Sequence, residues 1–145
     1  MNKNIIQRVI LGGVVYQDGK VLILQRHKDE DVYPEMWELP SGKKELLEPY
    51  DKSLLREIKE ETGLNVEIVA PISVFDYTIE KADEIRDSTQ INFLVKPINN
   101  GKIKLSNEHQ SFAWVNEGDI DSYNLTEGTK KVVEKAFKLV SGRKN

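Results

Sequence analysis

The stretch Gly42-Lys43-Lys44-Glu45-Leu46-Leu47-Glu48-Pro49-Tyr50-Asp51-Lys52-Ser53-Leu54-Leu55-Arg56-Glu57-Ile58-Lys59-Glu60-Glu61-Thr62-Gly63-Leu64 decides how this chain is read. Leu54, Leu55, Ile58 and Thr62 fall within one arc of a helical wheel. Pro49 suits the start of a helix and Gly63 its end, so the pattern predicts a helix over residues 51–62. Glu57, Glu60 and Glu61 stand at i, i+3 and i+4 on that helix, which brings three carboxylates to one face. By wheel geometry this face lies roughly 120° from the apolar stripe. The helix can therefore bury one side and aim its acids elsewhere.

Three neighbouring carboxylates repel one another and disfavour the helix that carries them. A hard divalent cation turns that repulsion into ligation, because Mg²⁺ accepts carboxylate oxygens, water and phosphate oxygens as ligands. Arg56 can pair with Glu60 at i+4 or reach back to Glu48, holding a carboxylate in place. Ser41-Gly42 offers a turn where a main-chain carbonyl can approach the same ion. A bare E-x-x-E-E pattern is ordinarily a solvated helix face. Here five residues separate Gly42 from Glu48 and seven separate Glu48 from Arg56, so the acids belong to a longer set of fixed positions.

Working outward, Arg8 to Tyr16 is apolar and β-branched, Gln17-Asp18-Gly19-Lys20 is a turn, and Val21 to Gln25 returns as a second strand. Met36 to Pro40 is a short apolar stretch leading into the Ser41-Gly42 loop. Residues 65–80 and 88–97 read as strands with a charged connection over 81–87; residues 111–115 form another short strand. Residues 127–140 read as an amphipathic helix with Val132, Val133, Ala136 and Val140 inward. Strands and helices mix without strict βαβ alternation, so the expected class is α+β, a mixed sheet flanked by helices within one domain spanning 1–145.

Composition bounds the chemistry. The chain has 145 residues and no cysteine, which excludes thiol catalysis, disulfides and cysteine-ligated zinc. A net charge of -3 argues against a nucleic-acid binder that works by phosphate neutralisation. An acidic protein can still handle a polyphosphate when cations sit between the two. The N-terminus lacks the apolar core of a signal peptide, and no segment is long enough to span a bilayer, so the cytoplasm is the expected location and no membrane partner is expected.

The segment from Gly42 to Leu64 resembles the Nudix box, G-x5-E-x7-R-E-U-x-E-E-x-G-U with U apolar, at every fixed position. Trp37-Glu38-Leu39-Pro40-Ser41-Gly42 is similar to the lead-in usual in that family. The resemblance implies an α/β/α sandwich and a pyrophosphohydrolase of MutT-like type that uses Mg²⁺, with Mn²⁺ able to substitute. It assigns Glu57, Glu60 and Glu61 as metal ligands, joined by the Ser41 carbonyl, with Glu57 or Glu60 orienting or deprotonating the attacking water. It makes Glu48 and Arg56 the ion pair that braces the box. Two departures stand out: Ser41 replaces a common Gly, and Leu46-Leu47 precedes Glu48 where Pro-Gly is frequent.

Beyond the box, family members often place a further carboxylate in the loop corresponding to residues 106–110, as metal ligand or general base; Glu108 is the candidate. His109 beside it reads as a bystander, since Mg²⁺ prefers oxygen. Arg26 can contact phosphate bidentately. Trp37, Tyr33, Phe75 and Tyr77 are candidates for stacking on a base, although aromatics near strands more often belong to a core. The partner implied is a small-molecule nucleotide; a homodimer is left open. Neither the proline associated with ADP-ribose enzymes nor the tyrosine of dinucleoside polyphosphate enzymes stands in Thr78-Ile79-Glu80-Lys81. That tilts the expectation toward a (deoxy)nucleoside triphosphate, cut to monophosphate and pyrophosphate. ADP-ribose or another nucleotide sugar, or a non-catalytic nucleotide sensor, are the alternatives.

Overall fold

Strand β1 (Asn4–Gln17) is the spine on which the other elements are arranged in the computed structural model, which describes residues 2–99 and 101–142. Its length lets it serve two sheets. Residues 4–15 pair in parallel with β6 (Glu84–Pro97), and Tyr16 and Gln17 turn back antiparallel onto β2 (Lys20–Arg26). Asp18 and Gly19 make that reversal with φ of 53° and 80°, the two positive angles of a type I′ hairpin. β3 (Trp37–Glu38) and β7 (His109–Asn116) flank β2 on the short sheet. β4 (Ser41–Lys43) pairs antiparallel with β1 at Ile10 to Gly12, and β5 (Val66–Glu80) pairs antiparallel with β6.

The period of two along β1 distributes its side chains between two cores. Leu11 and Val15 face α1 (Tyr50–Thr62), together with Leu22, Leu24, Phe93, Val95, Leu54 and Ile58. Val14 faces the other way, toward α2 (Glu127–Gly142), with Ile23, Leu94, Val132, Val133 and Phe137. Two helices covering opposite faces of a mixed sheet make the α/β/α sandwich of the α+β class. Gly13 admits α1 closely: a methyl there would fall 2.7 Å from Ile58 Cδ1. α1 ends at Gly63, whose φ of 78° closes the helix through a hydrogen bond from its N–H to Lys59 O at 2.8 Å.

The structure departs from the sequence expectation between β5 and β6. Glu84 to Asp87 is strand, not connection, and only residues 81–83 form the turn. Main-chain pairing explains this: Glu84 to Ser88 bond to Asn4 to Arg8, so backbone partners decide the conformation whatever the polarity of the side chains. A short 3₁₀ segment over Glu117–Ser122, absent from the sequence expectation, joins β7 to α2. Among the described residues no helix is long and apolar enough to cross a membrane.

The loop before α1 stores strain. Leu47 has a φ of 65° and its side chain is wholly exposed. The left-handed conformation costs a β-carbon residue about 1–2 kcal/mol, and a glycine there costs about 0.5–1 kcal/mol of chain entropy. Leu47→Gly is therefore expected to stabilise the protein by about 0.5–1 kcal/mol, read as a higher urea midpoint at unchanged slope.

Candidate active site

α1 packs on one face of the sheet, yet Glu61 reaches past the β4 edge into a cleft that opens on the other face, whose lining includes neither Glu57 nor Glu60. Gly42 makes this possible. A methyl at that position would fall 2.1 Å from Glu57 Cδ, so the Glu57 side chain lies directly against the glycine backbone. Next to it, the Ser41 N–H donates to Glu61 Oε1 at 2.9 Å. These contacts take Glu57 and Glu61 out of water, and Glu61 is 5% exposed. Burial pushes both carboxyl groups above the usual range. For Glu61 the rise is large, opposed by the Ser41 N–H and reinforced by Glu38 and Glu108.

Arg56 is the counter-charge for the rest of the cluster. Its Nη2 and Nε donate to the two Glu48 oxygens at 2.9 and 3.0 Å, a bidentate fork. Nη1 reaches Glu57 at 3.0 Å and Glu60 at 3.2 Å. The Glu48 carboxyl is held below its ordinary range by this guanidinium, which is itself held above its own by Glu48, Glu60 and Glu57. Arg56 thus realises both pairings open to it in the sequence at once. Glu60 is the most solvent-facing of the three helix acids.

The second wall comes from β7. An irregularity in the β2–β7 register between Gln25 and Arg26 accompanies a hydrogen bond from His27 N to Glu108 O, 3.0 Å, which fixes where the Glu108 side chain starts. Ligand atoms of Glu61, Glu108 and His109 all lie within 4.8 Å of one another. His109, expected to be a bystander, has a side chain only 1% exposed, with Nε2 2.7 Å from Glu38 Oε2. Glu38 also receives Arg26 Nη1 at 3.3 Å. Glu38 was not singled out from the sequence, where its one local signal is a glutamate inside the otherwise apolar stretch from Met36 to Pro40.

The cleft has a volume of about 550 Å³, in the range of small-molecule sites. Ser41, Glu61 and Glu108 line one end, and Arg8, Tyr77 and Gln90 line the other. Arg26 borders it, but its guanidinium is already engaged by Glu38, Glu30 and the Val32 carbonyl. Trp37 also borders it while packing edge-on against Tyr123, ring centroids 4.9 Å apart. Phe75 and Tyr77 share one wall at 5.7 Å between rings, and Tyr33 stands at the rim, half-exposed.

With this geometry in view, the relatives are informative. A model of the NUDIX domain matches residues 7–136. Nucleoside triphosphatase NudI of Escherichia fergusonii is 31% identical over 133 residues, covering 88% of this chain and 94% of that protein. Among solved structures, the MutT NUDIX hydrolase from Burkholderia pseudomallei superposes with a TM-score of 0.76 at 27% identity, covering 89% of this chain and 97% of that one. The MutT protein from Methanosarcina mazei Go1 shares the fold, with a TM-score of 0.73 at 22% identity over 97% of this chain and 98% of its own. The chain belongs to the Nudix family and is a pyrophosphohydrolase acting on phosphoric anhydride bonds.

Glu61 gives a test of the site's electrostatics that needs no substrate. Its folded-state affinity for a proton exceeds that of the unfolded chain, so its ionisation opposes folding. That favourable protonated contribution is present below the unfolded value of 4.5 and is lost as pH rises through the higher folded value. Glu61→Gln keeps an acceptor for the Ser41 N–H and removes the charge. In excess EDTA this variant is expected to melt above wild type at neutral pH, with the difference closing as pH falls toward 4.5, as followed by circular dichroism.

Proposed function

We propose that the protein hydrolyses a ribo- or deoxynucleoside triphosphate to the monophosphate and pyrophosphate in the cytoplasm, using Mg²⁺ with Mn²⁺ able to substitute. The observation that carries this reading is the buried Glu61 carboxylate beside Glu108. Among the described residues no lysine or arginine pairs with either, so ionising both carboxyl groups together has no protein cation to offset it. Burying a carboxylate that way is costly, and a divalent ion removes the cost. The oxygen-rich donor set of Glu57, Glu60, Glu61 and Glu108, with the Ser41 carbonyl, fits a hard cation such as Mg²⁺. The nucleoside triphosphatase relative supports the substrate class.

When bound, the cation neutralises charge on the phosphate oxygens and makes a coordinated water more acidic. The chain's residues supply the remainder. Glu57 and Glu61 are held in place by Gly42 and the Ser41 N–H, so they need not reorganise during the reaction. Arg56 fixes Glu57 and Glu60 relative to Glu48. Glu108 is exposed at the cleft and takes the proton of the attacking water on its carboxylate, as the P–O anhydride bond breaks and pyrophosphate leaves with the bonding electrons. Glu57 or Glu60 is the alternative base. The nucleoside then extends along the cleft toward Arg8 and Tyr77.

A panel of nucleoside triphosphates, ADP-ribose and dinucleoside polyphosphates, assayed with Mg²⁺ by released phosphate after coupling, tests the substrate. Turnover confined to ADP-ribose or dinucleoside polyphosphates would overturn the triphosphate assignment. Activity is expected to vanish in excess EDTA and to return with Mg²⁺ or Mn²⁺; undiminished turnover in chelator would remove the metal from the scheme. Glu57→Gln and Glu60→Gln are each expected to lower kcat on the order of 100-fold with the fold retained.

Glu108→Ala is expected to lower kcat by about tenfold or more at unchanged melting temperature, with Glu117→Ala and Asp119→Ala as insensitive controls. If all three behave alike in steady-state kinetics, the base lies on α1.

A further inference from the structure

The end of the cleft away from the glutamates has a floor made by three adjacent strands. Register places Arg8 on β1, Ser88 on β6 and Tyr77 on β5 in one row, with Ile10, Gln90 and Phe75 in the next. These residues lie on the face of the sheet opposite α1. Ser88 is fully buried beneath the row, its hydroxyl beside the Tyr77 phenol.

Arg8 is the exceptional residue here. Of the four arginines among the described residues, Arg26 is held by Glu30 and Glu38, Arg56 by Glu48, and Arg86 by Glu84. Arg8 has no carboxylate partner, and its Nε is buried with nothing to donate to. A guanidinium Nε desolvated at the floor of a substrate cleft and left unpaired is costly unless a ligand supplies an acceptor.

The other two groups define the pattern that ligand must match. Gln90 Nε2 donates to Asn92 Oδ1 at 2.8 Å, which turns the Gln90 carbonyl oxygen outward as an acceptor. Gly12 makes room for this arrangement: a methyl there would meet Asn92 Oδ1 at 2.5 Å and Gln90 Nε2 at 3.0 Å. Tyr77 brings a hydroxyl from the far strand. Burial pushes its phenol up, so it stays a protonated donor, even though Arg8 and the Ser88 hydroxyl act the other way. Across the three strands the polar groups are a donor, an acceptor and a donor: Arg8 on β1, Gln90 one row further along β6, and Tyr77 on β5. Arg8 lies four residues from Gly12, the partner of Ser41, which is roughly 13 Å along the strand at about 3.3 Å per residue. Floor and glutamates are thus at opposite ends of one cleft.

We infer that Arg8, Gln90 and Tyr77 select the base of the substrate, and that the base they fit is a uracil or thymine. The imide edge of these bases presents carbonyl, N–H, carbonyl, the complement of the floor. Arg8 donates to one carbonyl, Gln90 Oε1 accepts from the ring N–H, and Tyr77 donates to the other carbonyl. Adenine offers no carbonyl, and cytosine presents an acceptor where Gln90 needs a donor. Guanine matches Arg8 and Gln90, and its amino group donates to the Tyr77 hydroxyl, which then has no carbonyl to donate to, so GMP is expected to bind between UMP and AMP. This assignment rests on the cleft being a nucleotide site, as proposed above, but not on the hydrolytic chemistry.

Binding of UMP, dTMP, GMP, CMP and AMP, measured by calorimetry in EDTA, separates the two. UMP and dTMP are expected to bind about tenfold or more tightly than AMP and CMP, since a site built to hydrogen-bond one edge rejects a base that leaves its groups unpaired. The UMP and dTMP arms show which of the two imide bases the cleft takes. In Arg8→Met, which keeps the apolar stem, the affinity for UMP and dTMP is expected to fall so that their preference over AMP shrinks to about threefold or less. Gln90→Leu is expected to act the same way and serves if Arg8→Met does not fold by circular dichroism. Equal binding of AMP and UMP to wild type, a preference that survives these substitutions, or no binding of any monophosphate overturns the inference. Turnover of triphosphates in Mg²⁺ tests the hydrolytic reading independently.

Discussion

The close approach of α1 to the β4 edge governs the organisation of the molecule. Two features permit it: Gly42 has no side chain to block Glu57, and the Ser41 N–H donates to Glu61. α1 can therefore bury Leu54 and Ile58 against one face of the sheet while Glu61 emerges on the cleft side. A helix bearing three acids would otherwise turn them to water. The cost of holding carboxylates at this edge is visible in Glu57 and Glu61, whose protonation is favoured by burial. Such a site is more stable with a cation than without one, so ligand affinity and apo-protein instability share one physical origin.

Arg56 divides the carboxylates into two sets. Glu48, Glu57 and Glu60 are within its reach, and Glu61 and Glu108 are not. One guanidinium with several acids in contact fixes their geometry but cannot neutralise them all. The uncompensated pair faces the cleft. On the other side His109 and Arg26 hold Glu38, so the β3 carboxylate is restrained by neighbours on β7 and β2. Arg26, which sequence reading offered to the phosphates, is thereby drawn into the wall of the site.

The long β1–β6 parallel pair gives the cleft its length. It carries the sheet past the helices, so polar side chains at Arg8, Arg86 and Gln90 line a surface that continues from the site of the glutamates. The same pairing makes strand of the charged residues Glu84 to Asp87. A sheet extended for its backbone bonds thus provides a polar platform, and phosphate chemistry and base recognition can vary independently on its two ends.

From the sequence alone follow the helix of the box, its apolar stripe, its cap at Gly63 and the spacing that sets Glu57, Glu60 and Glu61 along one side of it, because these depend on positions within one element. So do the hairpin at Asp18-Gly19 and the closing helix, whose signals are local. The burial of Glu61 and the exposure of Glu60 come from the tertiary structure, since they depend on which side of α1 meets β4. The tertiary structure alone brought Glu38 to His109, which are 71 residues apart, and aligned Arg8, Gln90 and Tyr77 across three strands. Strand register and burial arise from contacts between segments distant in sequence, and no local pattern encodes where such segments meet.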